Sequence, residues 1–200
     1  MFNKQDIIEK ITYLIAKRNE TKSPLNNLCA NTLNNCLSDN YIDKFEKNNN
    51  IKLPDDYKYF ITEIGNGGIG PDYGLFSLEE SIIDIKLKNK PNIKLNIPFN
   101  FTKSWNESWI ENFDWDNELP PLDLVNEYMC VKYIYGCLQV SHYGHGCTHL
   151  LVINGKEHGF IWFDGRANYD GIFPELNIKK DKMLFMDWYL DWLENEIIKT

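Results

Sequence analysis

The sequence predicts an α+β fold, a single domain with an antiparallel-rich sheet packed against helices, on three observations. Apolar residues recur at helical spacing near the start, strand-like runs separated by hairpin turns cluster after residue 136, and a helical aromatic stripe closes the chain. No internal repeat or linker-like stretch divides the 200 residues, so they read as one domain, residues 1–50 forming a helical N-terminal extension to a core of 51–200.

Each element has its own signal. Ile7, Ile8, Ile11, Leu14 and Ile15 share one helix face, with Lys and Glu opposite. From Thr21 to Asn50, Pro24 and polar clusters break the pattern into short helical pieces and loops. A second helix starts at Pro54, whose missing N–H costs nothing in a first turn, and Asp55 and Asp56 suit the helix dipole there. Tyr57, Phe60, Ile61 and Ile64 form its buried stripe, and Gly65-Asn66-Gly67-Gly68 stops it. Tyr73 to Ser77 reads as a short strand.

Ser77 with Glu80 spells a capping box, predicting a helix through Ile82, Ile83 and Ile85. Ser104 with Glu107 spells another, ahead of Trp105, Trp109 and Phe113 at i, i+4 and i+8. Strands are predicted over 136–142, 148–153 and 160–163, joined by Tyr143-Gly144-His145-Gly146 and Asn154-Gly155-Lys156 turns. The last helix carries Phe185, Trp188, Tyr189, Trp192 and Leu193 on one side. Trp162, Trp188 and Trp192 are expected in the core.

Composition narrows function. With 21 basic and 29 acidic side chains the formal charge is −8, and only Arg18 and Arg166 are arginines. That balance argues against tracking nucleic-acid phosphates and suits a basic protein partner. The start has no secretory pattern, and no apolar run approaches the ~20 residues that cross a bilayer. Five cysteines without framework spacing suit reduced thiols. A cytoplasmic protein without membrane contact is the expectation.

Three constellations could carry chemistry. Glycines 65, 67 and 70 satisfy GxGxxG, but they follow a helix where a dinucleotide fingerprint follows a strand. Cys137, His142, His145, Cys147 and His149 are metal-ligand types, yet their spacing matches no zinc module, and they read as structural hairpin residues. Residues 98–129 hold seven acids (Glu107, Glu111, Asp114, Asp116, Glu118, Asp123, Glu127), one base (Lys103) and three of six tryptophans (Trp105, Trp109, Trp115), a net −6. This stretch could supply Asp114, Asp116 and Glu118 as metal ligands or an acid/base pair, form a solvated surface, or bind a protein through aromatic anchors and charge. On the helix expected from Ser104, Glu107 and Glu111 share a face, and Asp114, Asp116 and Glu118 follow its end, where the dipole disfavours carboxylates.

Two stretches resemble a known family. LPDDYKYFITEIGNGG is similar to the opening signature of the SUKH superfamily, in its Smi/Knr branch. YGCLQVSHYGHGCTHLLVINGKEHGFIWFDGRANYDGIFPE resembles that family's sheet, and FMDWYLDWL its closing helix. The resemblance runs from Ile51 to Leu193, with 98–129 as an acidic insertion. It implies a SUKH-like α+β domain without catalysis, cofactor or metal, in which Pro54, Gly67, Gly68, Gly144, Gly146 and Trp162 are structural motif residues. Bacterial relatives are mainly immunity proteins that neutralise toxins, and eukaryotic ones are scaffolds in cell-wall regulation. The expected partner is therefore a cognate protein toxin, with a nuclease as one candidate, met by Glu107, Glu111, Asp114, Trp115, Asp116 and Glu118. The alternatives are a metal-assisted hydrolase, built on the His/Cys hairpin or on Asp114, Asp116 and Glu118, and a cell-wall scaffold.

Overall fold

Apolar residues at i, i+4 and i+7 turn Ile7, Ile11 and Leu14 inward from α1 (Lys4–Thr21), and all three are buried. The structure, a computed structural model, describes residues 2–21 and 29–199; Pro24 and the break expected around it lie outside the described residues. In α2 (Asp39–Asn49), the Ser38 side chain accepts the Tyr41 amide hydrogen, and left-handed Asn50 ends the helix. α3 (Asp55–Tyr59) follows Pro54 and continues through Phe60–Ile64 as a π-helical turn that Gly65 terminates. Its expected stripe of Tyr57, Phe60, Ile61 and Ile64 is buried.

The sheet has the order β1-β2-β3-β4 and is antiparallel throughout: β1 (Cys137–Gly144), β2 (Cys147–Val152), β3 (Ile161–Asp164) and β4 (Ile172–Pro174). Side chains alternate between its faces. One face carries His149, whose ring meets Trp188 of α6 (Phe185–Lys199) at 4.9 Å. The other carries Gln139, Thr148, Trp162 and Asp164, covered by the chain between residues 78 and 105. There Phe99 meets Trp162 edge-on at 5.1 Å. Both faces being covered, β2 and β3 are buried at every position.

Helices and sheet share one apolar core, which runs from Ile7 and Ile42 to Trp162 and Leu193. Asp56 ties two of its parts: its Oδ2 accepts the Met186 amide at 3.0 Å, capping α6 from another element. Trp162 and Trp188 are buried as expected, whereas Trp192 is only half-buried, with the Arg18 guanidinium 5.7 Å from its ring centre.

Two expected helices do not form as read. The Ser77–Glu80 box makes its reciprocal hydrogen bonds, at 2.9 Å to the Ser77 amide and 3.3 Å to the Glu80 amide. The chain then leaves the helix, because the Ser81 carbonyl accepts from Gln139 of β1 and the Ile82 carbonyl from Ile93. At Ser104 the helix is pre-empted by Trp105, whose amide and carbonyl both pair with Ile172 of β4 at 2.8 Å. The expected strand at 73–77 is a bridge at Leu75, to Gly68 on one side and Ser141 of β1 on the other. Gly68 fits here only as glycine: its φ is +103°, and a Cβ would lie 2.1 Å from the Thr32 carbonyl oxygen.

Beneath the sheet lies a charged quartet with no surface exposure to speak of. Arg166 donates to both Asp164 oxygens at 2.8 Å, Lys86 binds Asp164 Oδ2, and Asp84 Oδ1 lies 3.8 Å from Lys86 Nζ. The Arg166 Nη1 also donates to the carbonyls of Tyr128 and Cys130, at 3.0 and 2.9 Å. Burial opposes the Asp164 charge, but Lys86 and Arg166 outweigh it and hold this carboxyl well below the usual range. Asp164→Asn should cost about 3–5 kcal/mol at pH 7, because it leaves two buried cations short of counter-charge. A depressed carboxyl contributes above its unfolded value and loses the contribution as pH falls through the folded one, so the difference should persist down to about pH 4. Urea midpoints of the two proteins check this; matching midpoints at pH 7 would refute it.

Candidate protein-binding surface

The acidic stretch is held as an aromatic-backed surface loop. α4 (Ser108–Glu111) and α5 (Leu122–Tyr128) flank it. Trp109 is its hub, with ring centres of Phe113, Trp115, Tyr128 and Tyr169 at 6.0 to 6.4 Å. Trp115 packs on Tyr169 at 4.5 Å and donates its indole N–H to the Ile110 carbonyl at 3.2 Å. Tyr128 donates to Asn106 Oδ1 at 2.6 Å and accepts the Gly171 amide at 3.0 Å.

The expected surface residues separate into two groups. Glu111, Asp114, Asp116 and Glu118 are exposed, and Trp115 keeps 44% of its surface in water. Among the described residues, none of these four carboxylates forms an ion pair. Glu107 is half-buried at the cap of α4, where it accepts from the Tyr133 hydroxyl at 3.4 Å. It does not share a helix face with Glu111, since α4 starts only at Ser108. A four-residue helix also has little dipole, so the expected penalty on Asp114, Asp116 and Glu118 is slight. Missed in the sequence were Leu119, Leu122 and Leu124, exposed by 92%, 73% and 39%. Their signal was the string ELPPLDL, leucines set between acids around two prolines.

The hairpin cysteines and histidines are scattered. Cys137 and Cys147 are buried, and burial pushes the Cys137 thiol well above its ordinary range. His145 sits exposed at the turn tip with φ +50°, between Gly144 and Gly146. His142 lies against the Tyr73 ring.

His149 is different. Its Nδ1 is 2.9 Å from Asp72 Oδ2, and its Nε2 is 3.1 Å from Glu175 Oε1. Ser141 Oγ lies 3.1 Å from Nδ1 and donates to Asp72 at 2.9 Å. Burial disfavours a charged ring here, yet the two carboxylates outweigh it and raise the pKa above its ordinary value. Carboxylates on opposite ring nitrogens cannot converge on one ion. Among the described residues, no three His, Cys, Asp or Glu groups are placed to hold a metal, and no helix is long and apolar enough to cross a membrane.

A family model described as SUKH_6, SMI1-KNR4 cell-wall, matches residues 39–134. That match, to just under half of the chain, supports membership of the SUKH superfamily. The matched SUKH region takes in α2, α3, the Gly67-Gly68 loop and the whole acidic stretch, and it ends just before β1. No curated protein and no solved structure matches the chain.

The His149 geometry sets a pH dependence for this protein. A raised histidine pKa gives stability that is complete below the unfolded value of about 6.5 and lost as pH rises through the folded value. Thermal midpoints should therefore fall on the alkaline side of pH 6.5, and Glu175→Gln should flatten that fall. A histidine ring resonance titrating at or below 6.5 would contradict the ion-pair assignment.

Proposed function

We propose that this chain is a non-catalytic immunity protein that binds and neutralises a cognate protein toxin through the acidic, aromatic-backed surface of residues 107–118. The observation that carries the reading is the concentration of unpaired carboxylates at Glu111, Asp114, Asp116 and Glu118 around half-exposed Trp115. Charges with no counter-charge in the fold, Asp114 meeting only the Asn117 amide, are free to act on a partner. Such a field raises association rates with a basic surface and rejects partners of like charge. A toxin that acts on nucleic acid needs a basic groove, and a carboxylate-lined protein surface can fill it. Membership of the SUKH superfamily supports a protein partner.

Neutralisation demands tight binding, and a nanomolar Kd corresponds to about −12 kcal/mol. The aromatic backing suits that demand, because side chains already fixed by packing lose little freedom on association. The toxin to use is the product of whichever gene flanking its own encodes a toxin domain. Asp114→Lys, Asp116→Lys and Glu118→Lys together should leave the unfolding free energy from urea titration within about 0.5 kcal/mol of wild type, since all three are exposed. The same protein should associate with that product more slowly and with little salt dependence. An unchanged association rate and full protection of cells would place the interface elsewhere.

A further inference from the structure

Resting on the reading above and deepening it, we infer that the partner is anchored by an apolar prong, Leu119-Pro120-Pro121-Leu122, and so presents an apolar socket rimmed by Lys and Arg. Four large apolar side chains stand exposed within ten residues: Trp115, Leu119, Leu122 and Leu124. Single exposed leucines are ordinary, but four large apolar side chains exposed along ten residues among acids mark an interaction segment.

The prong's backbone is set before it meets anything. Each proline ring fixes its own φ and drives the residue before it to extended values, so Leu119, Pro120 and Pro121 have few other conformations. Pro121 sits at φ −53°, ψ 134°, the polyproline II region. Three residues per turn in that geometry bring Leu119 and Leu122 to the same edge, roughly 9 Å apart along the chain.

Both ends are tied down. On one side Trp115 packs on Tyr169 and donates to Ile110; on the other Arg166 holds the Tyr128 and Cys130 carbonyls at the end of α5. A surface prepared in this way binds with little ordering penalty.

Charge selects the occupant. From Glu111 to Glu127 the chain has six acids and no base. Anionic lipid and nucleic-acid phosphates are repelled by that rim, whereas a basic protein surface is attracted. The leucines supply the desolvated centre and the acids the polar rim, the usual division in a protein interface.

The full chain tests this against the products of the two flanking genes. Wild type should bind one of them. Leu119→Ser with Leu122→Ser should weaken that binding at least ~30-fold, mainly through faster dissociation, with salt dependence kept. A photoreactive leucine at position 119 should crosslink to apolar residues of the bound product, next to Lys or Arg in its sequence. If wild type binds and the serine variant, folded by its thermal midpoint, binds as tightly, the prong is wrong while the immunity reading stands. If wild type binds and position 119 captures nothing, the prong is equally wrong. If wild type binds neither product, the immunity reading fails, and this inference fails with it.

Discussion

Asp164 carries a negative charge where no water reaches it, and the arrangement around that charge settles much else. Its carboxylate is shared by Arg166 and Lys86, and Asp84 balances the second cation. An isolated charge at such depth is prohibitively unfavourable, so the four groups stand or fall together. Two of them come from the irregular chain before residue 87 and two from the end of β3 and the turn after it. The quartet thereby fixes a segment that has no helix or strand of its own against the buried face of the sheet. Asp84 Oδ2 is buried and has no hydrogen-bond partner among the described residues, so the arrangement is not fully satisfied.

The same charge reaches the surface through Arg166. Having spent two donor groups on Asp164, the guanidinium uses Nη1 on the carbonyls of Tyr128 and Cys130. The first of these is the last carbonyl of α5, a group the helix itself leaves open, and the second, two residues on, also accepts the Tyr133 amide. The acidic stretch is therefore anchored at its far end by the core's own electrostatics, and at its near end by Trp105 pairing with β4. Between the anchors the chain is free to expose carboxylates and leucines, because neither anchor asks anything of them. Stability and the candidate interface are carried by different residues of one segment.

On the opposite face of the sheet His149 performs a related task with a weaker acid. It joins Asp72, from the loop after the Gly67-Gly68 turn, to Glu175, just past β4, and lies against Trp188 of α6. One face is clamped by a charge set that persists across ordinary pH, the other by a ring whose charge is not permanent. The two faces of this sheet thus differ in how they answer to pH.

The sequence by itself determined the fold class, α1, the α3 stripe, the three longer strands and the closing helix, since each rests on local periodicity or on a turn residue that few alternatives satisfy. It also marked residues 98–129, because charge and tryptophan content are readable without coordinates. Tertiary structure decided the rest. Trp105 gave its backbone to Ile172 and so cancelled a capping box that was locally sound, and Ser81 did likewise toward Gln139. β4 went unread because three residues carry too little pattern. Arg166 was noted only as one of two arginines, and His149 only as one of several structural hairpin residues. Asp164 meets Lys86 from 78 residues away and His149 meets Asp72 from 77, and no local spacing announces a pairing made across the chain. Local signals set what each segment prefers, and long-range hydrogen bonds and buried charges decide which preference survives.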